Sequence, residues 1–231
     1  MSGGLVDVLF VLFAVGMVAF AILGWWASIK RRERLKVWAT TNGWTYAPSD
    51  RSLVSFSRMQ PFGVGHSKRA VDVLAGRYDG HSALSFTYRW TTGSGKNQIT
   101  HTAHVVGVAL PTYLPTVELT PEGLGARLAK LVGAQDIQFE SEAFNQSFRV
   151  ASSDPKVAHA IVHPRLMERM LRADAAGSAW RIEGTWILSW ATGSTDLDRL
   201  ASRLGLLSAV VRSIPRHVWQ DHGYDPLASA R

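Results

Sequence analysis

With 231 residues, 46% of them hydrophobic, the chain is long enough for one domain with a buried core, and its lack of cysteine excludes disulfides, thiol catalysis and cysteine-based metal sites. The net charge of +7 does not argue for nucleic acid, because much of it is concentrated: Lys30 to Lys36 contributes +4 (five basic residues and one acid), Asp7 contributes −1, and the remaining +4 is scattered.

The first element reads as a membrane span. Val8 to Ala27 is VLFVLFAVGMVAFAILGWWA, without a charge or a strongly polar side chain. As a helix rising 1.5 Å per residue it is about 30 Å long, the thickness of a bilayer's hydrocarbon core. Trp25 and Trp26 close it where aromatic rings prefer the headgroup region, and Lys30, Arg31, Arg32, Arg34 and Lys36 follow. The seven residues before the span hold no Lys or Arg, so the positive-inside rule places residues 1–7 outside and the main domain in the cytoplasm of a bacterial plasma membrane. Basic residues on this side fit a signal anchor better than a cleaved signal peptide. The same cluster suits anionic lipid headgroups, each basic residue near the surface contributing about 1 kcal/mol. Gly16 and Gly24 both lie four residues from Phe20, so no Gly-x-x-x-Gly dimer motif is present.

The helix is expected to run on through residues 28–43, with Gly43 as a left-handed stop and Leu35 and Trp38 on one face, docked on lipid or on the domain. A domain over 44–215 then begins with short alternating runs. Arg69 to Arg77, the Asp79-Gly80 turn and His81 to Trp90 make a hairpin, with a polar turn over Thr91 to Gln98. Ile99 to Leu110 makes a strand ending at Pro111, and Thr116 to Leu119 a shorter one. Pro121-Glu122 opens an expected helix to Val132 that carries Leu124, Leu128 and Leu131 on one face and stops at Gly133. Asp136 to Phe139 and Ser147 to Val150 read as strands. A helix capped by Ser153 or Asp154 restarts at Pro164 and continues to Ala175. Trp180 to Trp190 is one bent strand or a hairpin about Glu183-Gly184; Thr195 to Ile214 is the last helix, and 216–231 a flexible tail. The fold class is α+β: a transmembrane helix, then one cytoplasmic domain with an antiparallel β-meander and several packed helices.

Residues 137–171, IQFESEAFNQSFRVASSDPKVAHAIVHPRLMERML, resemble a recurrent stretch in a family of uncharacterised, actinobacterial-type, single-pass membrane-anchored proteins, a domain of unknown function. VLAGRYDGHSALSFTYRW, Val73 to Trp90, resembles a hairpin of the same family, with Pro61-Phe62 preceding it similarly. The resemblance implies a bacterial membrane-anchored protein and brings no activity, cofactor or site residue with it.

Gly93-Ser94-Gly95-Lys96 lacks the glycine and the Ser/Thr of a phosphate loop, since Trp90 and Asn97 stand there, and reads as a turn. His101 and His104, three apart on a strand, point to opposite faces. His159 and His163 are four apart on an expected helix, but Ala160 stands where a zincin needs Glu. Glu140 and Glu142 would face one way on an extended stretch, as an acid/base pair or as acceptors for backbone amides beside Asn145. Phe139, Phe144 and Phe148 are expected in the core. No catalytic, cofactor-binding or metal residue is assigned, and no cofactor. The expected function is a membrane-anchored cytoplasmic binding or assembly module, with the bilayer and an unknown protein as partners; the alternative is a membrane-tethered hydrolase using Glu140 or Glu142.

Overall fold

The structure, a computed structural model, describes residues 3–57, 60–122 and 136–228. It divides into two compact units, 1–46 and 47–231.

The first unit is dominated by one helix, α1 (Gly3–Thr41), long and apolar enough to cross a membrane. Phe10, Phe13, Phe20, Leu23 and Trp25 are each more than half exposed, the inverse of a soluble core helix. The helix passes through residues 28–41 without a break. Gly43 adopts φ +69°, and the Trp44 N–H reaches back to the Ala39 carbonyl at 2.7 Å. This left-handed stop satisfies a carbonyl the helix end would otherwise orphan. Trp38 packs edge-on to Trp44 at 5.5 Å.

The second unit is built on an antiparallel sheet of seven strands: β1 (Thr45–Ser49), β2 (His66–Tyr78), β3 (His81–Thr92), β4 (Ile99–Pro121), β5 (Asp136–Ile137), β6 (Phe148–Ser152) and β7 (Trp180–Thr192), in the order β1-β2-β3-β4-β6-β5 with β7 also on β4. The β2–β3 turn is the expected one, with Asp79 and Gly80 both at positive φ (+50° and +81°).

β4 departs from expectation. Instead of stopping at Pro111 and restarting at Thr116, it runs 23 residues. The ladder to β7 shifts register between Ala109 and Leu114 and again between Leu114 and Val117. Pro111 and Pro115 fall in those two irregularities, where no ladder N–H is required. The bends let β4 pair β3 over Ile99–Val108 and β6 over Val117–Pro121, while β7 follows it from Ala103 to Leu119. Gly184, at φ +66° opposite Leu114, lets β7 bend with it as one strand.

Six helices are described. After α1 come α2 (Glu142–Ser147), α3 (Pro155–Ile161), α4 (Pro164–Met170), α5 (Leu197–Ser213) and α6 (Arg216–Asp221). Asp154, not Ser153, caps α3, accepting from the Lys156 and Val157 amides at 2.9 and 3.3 Å. α5 packs on β4 and β7 through Leu200, Leu204, Leu207 and Val211. The opposite face of the sheet is an aromatic cluster of Phe62, Phe86 and Tyr88 with Leu53, Val73 and Val105.

Two further expectations change. The tail is not loose as far as residue 228: α6 buries Val218 and Trp219, Tyr224 packs edge-on to Trp219, and Arg216 pairs with Asp225 at 2.9 Å. Two adjacent apolar anchors, Val218 and Trp219, order a short segment that is otherwise polar. The helix expected over Pro121–Val132, with Leu124, Leu128, Leu131 and its Gly133 stop, lies outside the described residues beyond Glu122.

Candidate functional site

In the first unit, Lys30, Arg32, Arg34 and Lys36 are exposed on the C-terminal half of α1, and Arg31 is half-buried. The single acid among them is matched within the helix, Lys36 Nζ lying 2.8 Å from Glu33 Oε1. Trp25 and Trp26 are exposed immediately before this band. The aromatic-then-basic order read from the sequence is therefore presented on the helix surface.

In the second unit, three polar constellations needed the fold to assemble them. The first resembles a serine–histidine pair. His104 Nε2 lies 2.8 Å from Ser85 Oγ, and the backbone N–H of Asp196 donates to His104 Nδ1 at 3.3 Å. Because Nδ1 accepts, the proton of the neutral ring sits on Nε2, which donates to Ser85 instead of taking its proton. Burial, helped by the Arg203 charge, holds the imidazole pKa down to about 3, and Ser85 is wholly buried. A general base needs the opposite tautomer and an accessible nucleophile. This pair is a structural pin. It joins β3 and β4 to the start of α5, reinforced by Arg203 donating to the His104 carbonyl at 3.1 Å and by Thr87 bonding to Thr195.

The second constellation surrounds Arg181, 1% exposed on β7. Its Nη1 donates to the Gln60 carbonyl at 3.0 Å and Nη2 to Ser57 Oγ at 2.9 Å. Glu118, its cross-strand partner, lies 3.6 Å away, and Glu183 lies 3.2 Å from Nε. The guanidinium also sits 4.9 Å from the centre of the Trp190 ring. Burial pushes the Glu118 carboxyl up despite the neighbouring arginine. Arg181 ties the segment before β2 to the sheet, and its ionic partners are both internal.

The third is a groove of 580 Å³ between the β5–α2 connection and helices α3 and α4. Phe139, Val162, Met167 and Leu171 line it together with Glu140, Glu168, His159 and His163. Here the histidine and carboxylate readings meet, with altered geometry. His159 and His163 do not share a helix, because α3 ends at Ile161 and Val162 leaves helical geometry (φ −88°, ψ 57°). His163 Nε2 is bonded to the Ser213 carbonyl at 2.9 Å, and the His159 ring packs on Phe139 at 4.9 Å. Among the described residues no group of three potential metal ligands converges. Glu140 and Glu142 do not form the expected same-face pair. Ser141 caps α2, so Glu142 enters a helical first turn and accepts from Gln146 at 3.1 Å, while Glu140 alone lines the groove. The backbone around Phe139 is held by Asn145, through Oδ1 at 3.0 Å and Nδ2 at 2.7 Å. Phe144 and Phe148 are core residues as expected; Phe139 is half-buried because one side of it belongs to the groove.

A cleft of 410 Å³ lies elsewhere in the unit, between Trp90, Trp190, Pro61 and Val64. Neither it nor Arg181 was singled out from the sequence. The available signal was a charge flanked by large apolar residues in strand-like runs, Glu118 in VEL and Arg181 in WRI.

No family model matches the chain, and no curated protein matches it. Among solved structures, the crystal structure of the mycobacterial trehalose monomycolate transport factor A, TtfA, is similar with a TM-score of 0.54 at 15% identity, over 80% of this chain and 96% of that one. At that identity the likeness is one of fold. The family resemblance of residues 137–171 thus has no family model behind it, and a distant fold likeness to a mycobacterial protein stands in its place.

Proposed function

We propose that this chain is a membrane-anchored binding or assembly module. α1 crosses the bilayer with its amino terminus outside, and the sheet domain works on the cytoplasmic side. The observation that carries the reading is α1 itself: apolar side chains exposed over the expected span, then tryptophans, then a band of basic residues. The module reading, as against a hydrolase, is supported by the way the domain uses its polar interior. His104 carries the wrong tautomer for a base, Arg181 is spent on internal partners, and Glu140 and Glu142 are separated by a helix cap. The fold shared with a protein described as a transport factor is consistent with a non-enzymatic role, and that protein's cargo is not carried over. The groove rimmed by Glu140 and Glu168 and floored by Phe139 and Met167 is the surface best suited to a protein partner.

The test of topology uses the absence of native cysteine, which makes any introduced thiol unique. In intact cells Gly3→Cys should react with a membrane-impermeant maleimide, and Lys96→Cys, in an exposed turn, should react only after permeabilisation. The reverse pattern would put the domain outside. Neutralising Lys30, Arg31, Arg32, Arg34 and Lys36 together should give mixed orientation.

A further inference from the structure

The basic band on α1 is not uniform around the helix. At about 100° per residue, Lys30 and Arg34 stand about 40° apart around the axis and about 6 Å apart along it, so they share one face. Both are exposed, and neither has an ion-pair partner among the described residues. Leu23 and Trp26 continue that stripe towards the amino terminus, 69% and 57% exposed. Along the helix this face runs from apolar wall to indole to two unpaired cations.

The other basic residues differ. Arg32 and Lys36 share the far side of the helix with Trp25 and Ile29. There the lysine is already matched, its Nζ lying 2.8 Å from Glu33 Oε1. Arg31 is half-buried and makes a contact of its own. Glu33 is the one acid between Lys30 and Lys36, and it is turned to Lys36. Lys30 and Arg34 are left as the pair able to close on a single anion.

The level of the pair along α1 sets what that anion is. Lys30 comes one turn after Trp26, and the apolar stretch ends at Ala27. Indole rings sit at the headgroup level, so the pair meets the layer where lipid phosphates lie. Two long cationic side chains one turn apart reach the oxygens of one phosphate from two sides, each bond charge-assisted. A zwitterionic headgroup cancels much of that attraction with its own ammonium, and a net-negative one does not.

We propose that Lys30 and Arg34 clamp the phosphate of one anionic glycerophospholipid, whose acyl chains lie along Trp26 and Leu23. The basic band then selects a lipid class in addition to fixing orientation. The clamp rests on α1 being a membrane anchor and is independent of which side of the bilayer the domain occupies.

The test uses the full chain in a nonionic detergent, with bound lipid counted by native mass spectrometry. Dioleoylphosphatidylglycerol and dioleoylphosphatidylcholine are the probes. One phosphatidylglycerol should bind saturably, about tenfold more tightly than phosphatidylcholine. Lys30→Gln with Arg34→Gln should weaken that binding by about tenfold to thirtyfold, the loss expected for two cations at a charged surface. Arg32→Gln with Lys36→Gln removes the same charge from the far side and should weaken it less than about threefold. All four side chains are exposed, so neither double variant should move the melting temperature. Inorganic phosphate at matched ionic strength should not displace the lipid. Equal retention of the two lipids, equal losses in the two double variants, or displacement by phosphate would each overturn the proposal. A chain that stays dispersed without detergent or lipid would instead overturn the anchor reading on which the clamp rests.

Discussion

The two units of this chain solve opposite problems with similar residues. α1 puts phenylalanines, leucines and tryptophans on its outside and keeps charge out of the apolar stretch between Asp7 and Lys30. The sheet domain puts the same residue types inside and then also buries an arginine, a glutamate and a histidine among them. A lipid-facing helix satisfies every backbone group by itself and needs no buried side-chain polarity. A sheet joined by long connections must pin them, and it does so with a few internal hydrogen bonds, each needing a complete set of partners. Charge is therefore excluded from the middle of one unit and is a structural component of the other.

The largest expected effect tests that second half. Arg181→Ala leaves Glu118 buried beside no cation, and removing one partner of a buried ion pair typically costs about 3–5 kcal/mol. Urea unfolding of the detergent-solubilised chain should register this loss, and Glu118→Gln in the same background should restore part of it. A cost below about 1 kcal/mol would show that the cluster is solvated and that the contrast between the units is overdrawn.

The mirror experiment places a charge in the other unit. Val18→Arg, near the middle of the apolar stretch, should add about 2.5–3.5 kcal/mol to the apparent insertion free energy, read as a shift of the chain from the membrane to the soluble fraction. An unchanged distribution would mean that α1 does not face lipid there.

His104 makes the contrast depend on pH. Its ordinary value is 6.5 and burial holds it down to about 3, so between these limits the unfolded chain binds a proton that the folded chain refuses. The stability it contributes is complete above about pH 6.5 and falls as pH is lowered, with a slope of up to about 1.4 kcal/mol per pH unit. Glu118, raised by burial, acts in the other direction, its contribution falling as pH rises from 4.5. Comparing unfolding at about pH 7 and about pH 5, His104→Asn should flatten the acid limb. An equally steep limb in that variant would assign the titration elsewhere.

The smallest effect concerns Glu140. It is exposed at the groove, and Asn145, not Glu140, holds the neighbouring backbone, so Glu140→Gln should change stability by less than about 0.5 kcal/mol. A loss of cellular function at unchanged stability would make Glu140 a partner-contacting or catalytic residue and would separate those roles from the structural one.

The features legible from the chain alone were those governed by neighbours in sequence. The apolar stretch with its basic flank, the Gly43 stop, the Asp79-Gly80 turn and a helix cap at Ser153 or Asp154, of which Asp154 is the one used, all follow from local backbone and solvation rules. So did the α+β class, because strand and helix periods differ in any context. The reading failed where non-local contacts overrode local grammar. Pro111 and Pro115 do not end β4, since the bulges against β7 put them where no ladder bond is needed. Trp219 orders a tail that looks polar, whereas the Ser141 cap that turns an apparently extended stretch into α2 is a local signal that the reading passed over. Only the tertiary structure could bring Ser85 to His104, Arg181 to Glu118 and the segment before β2, and Trp90 to Trp190 across β4. Those partners lie in different strands, and their polarity or exposure is decided by which face of the sheet meets which cover, a property that no window of the sequence contains.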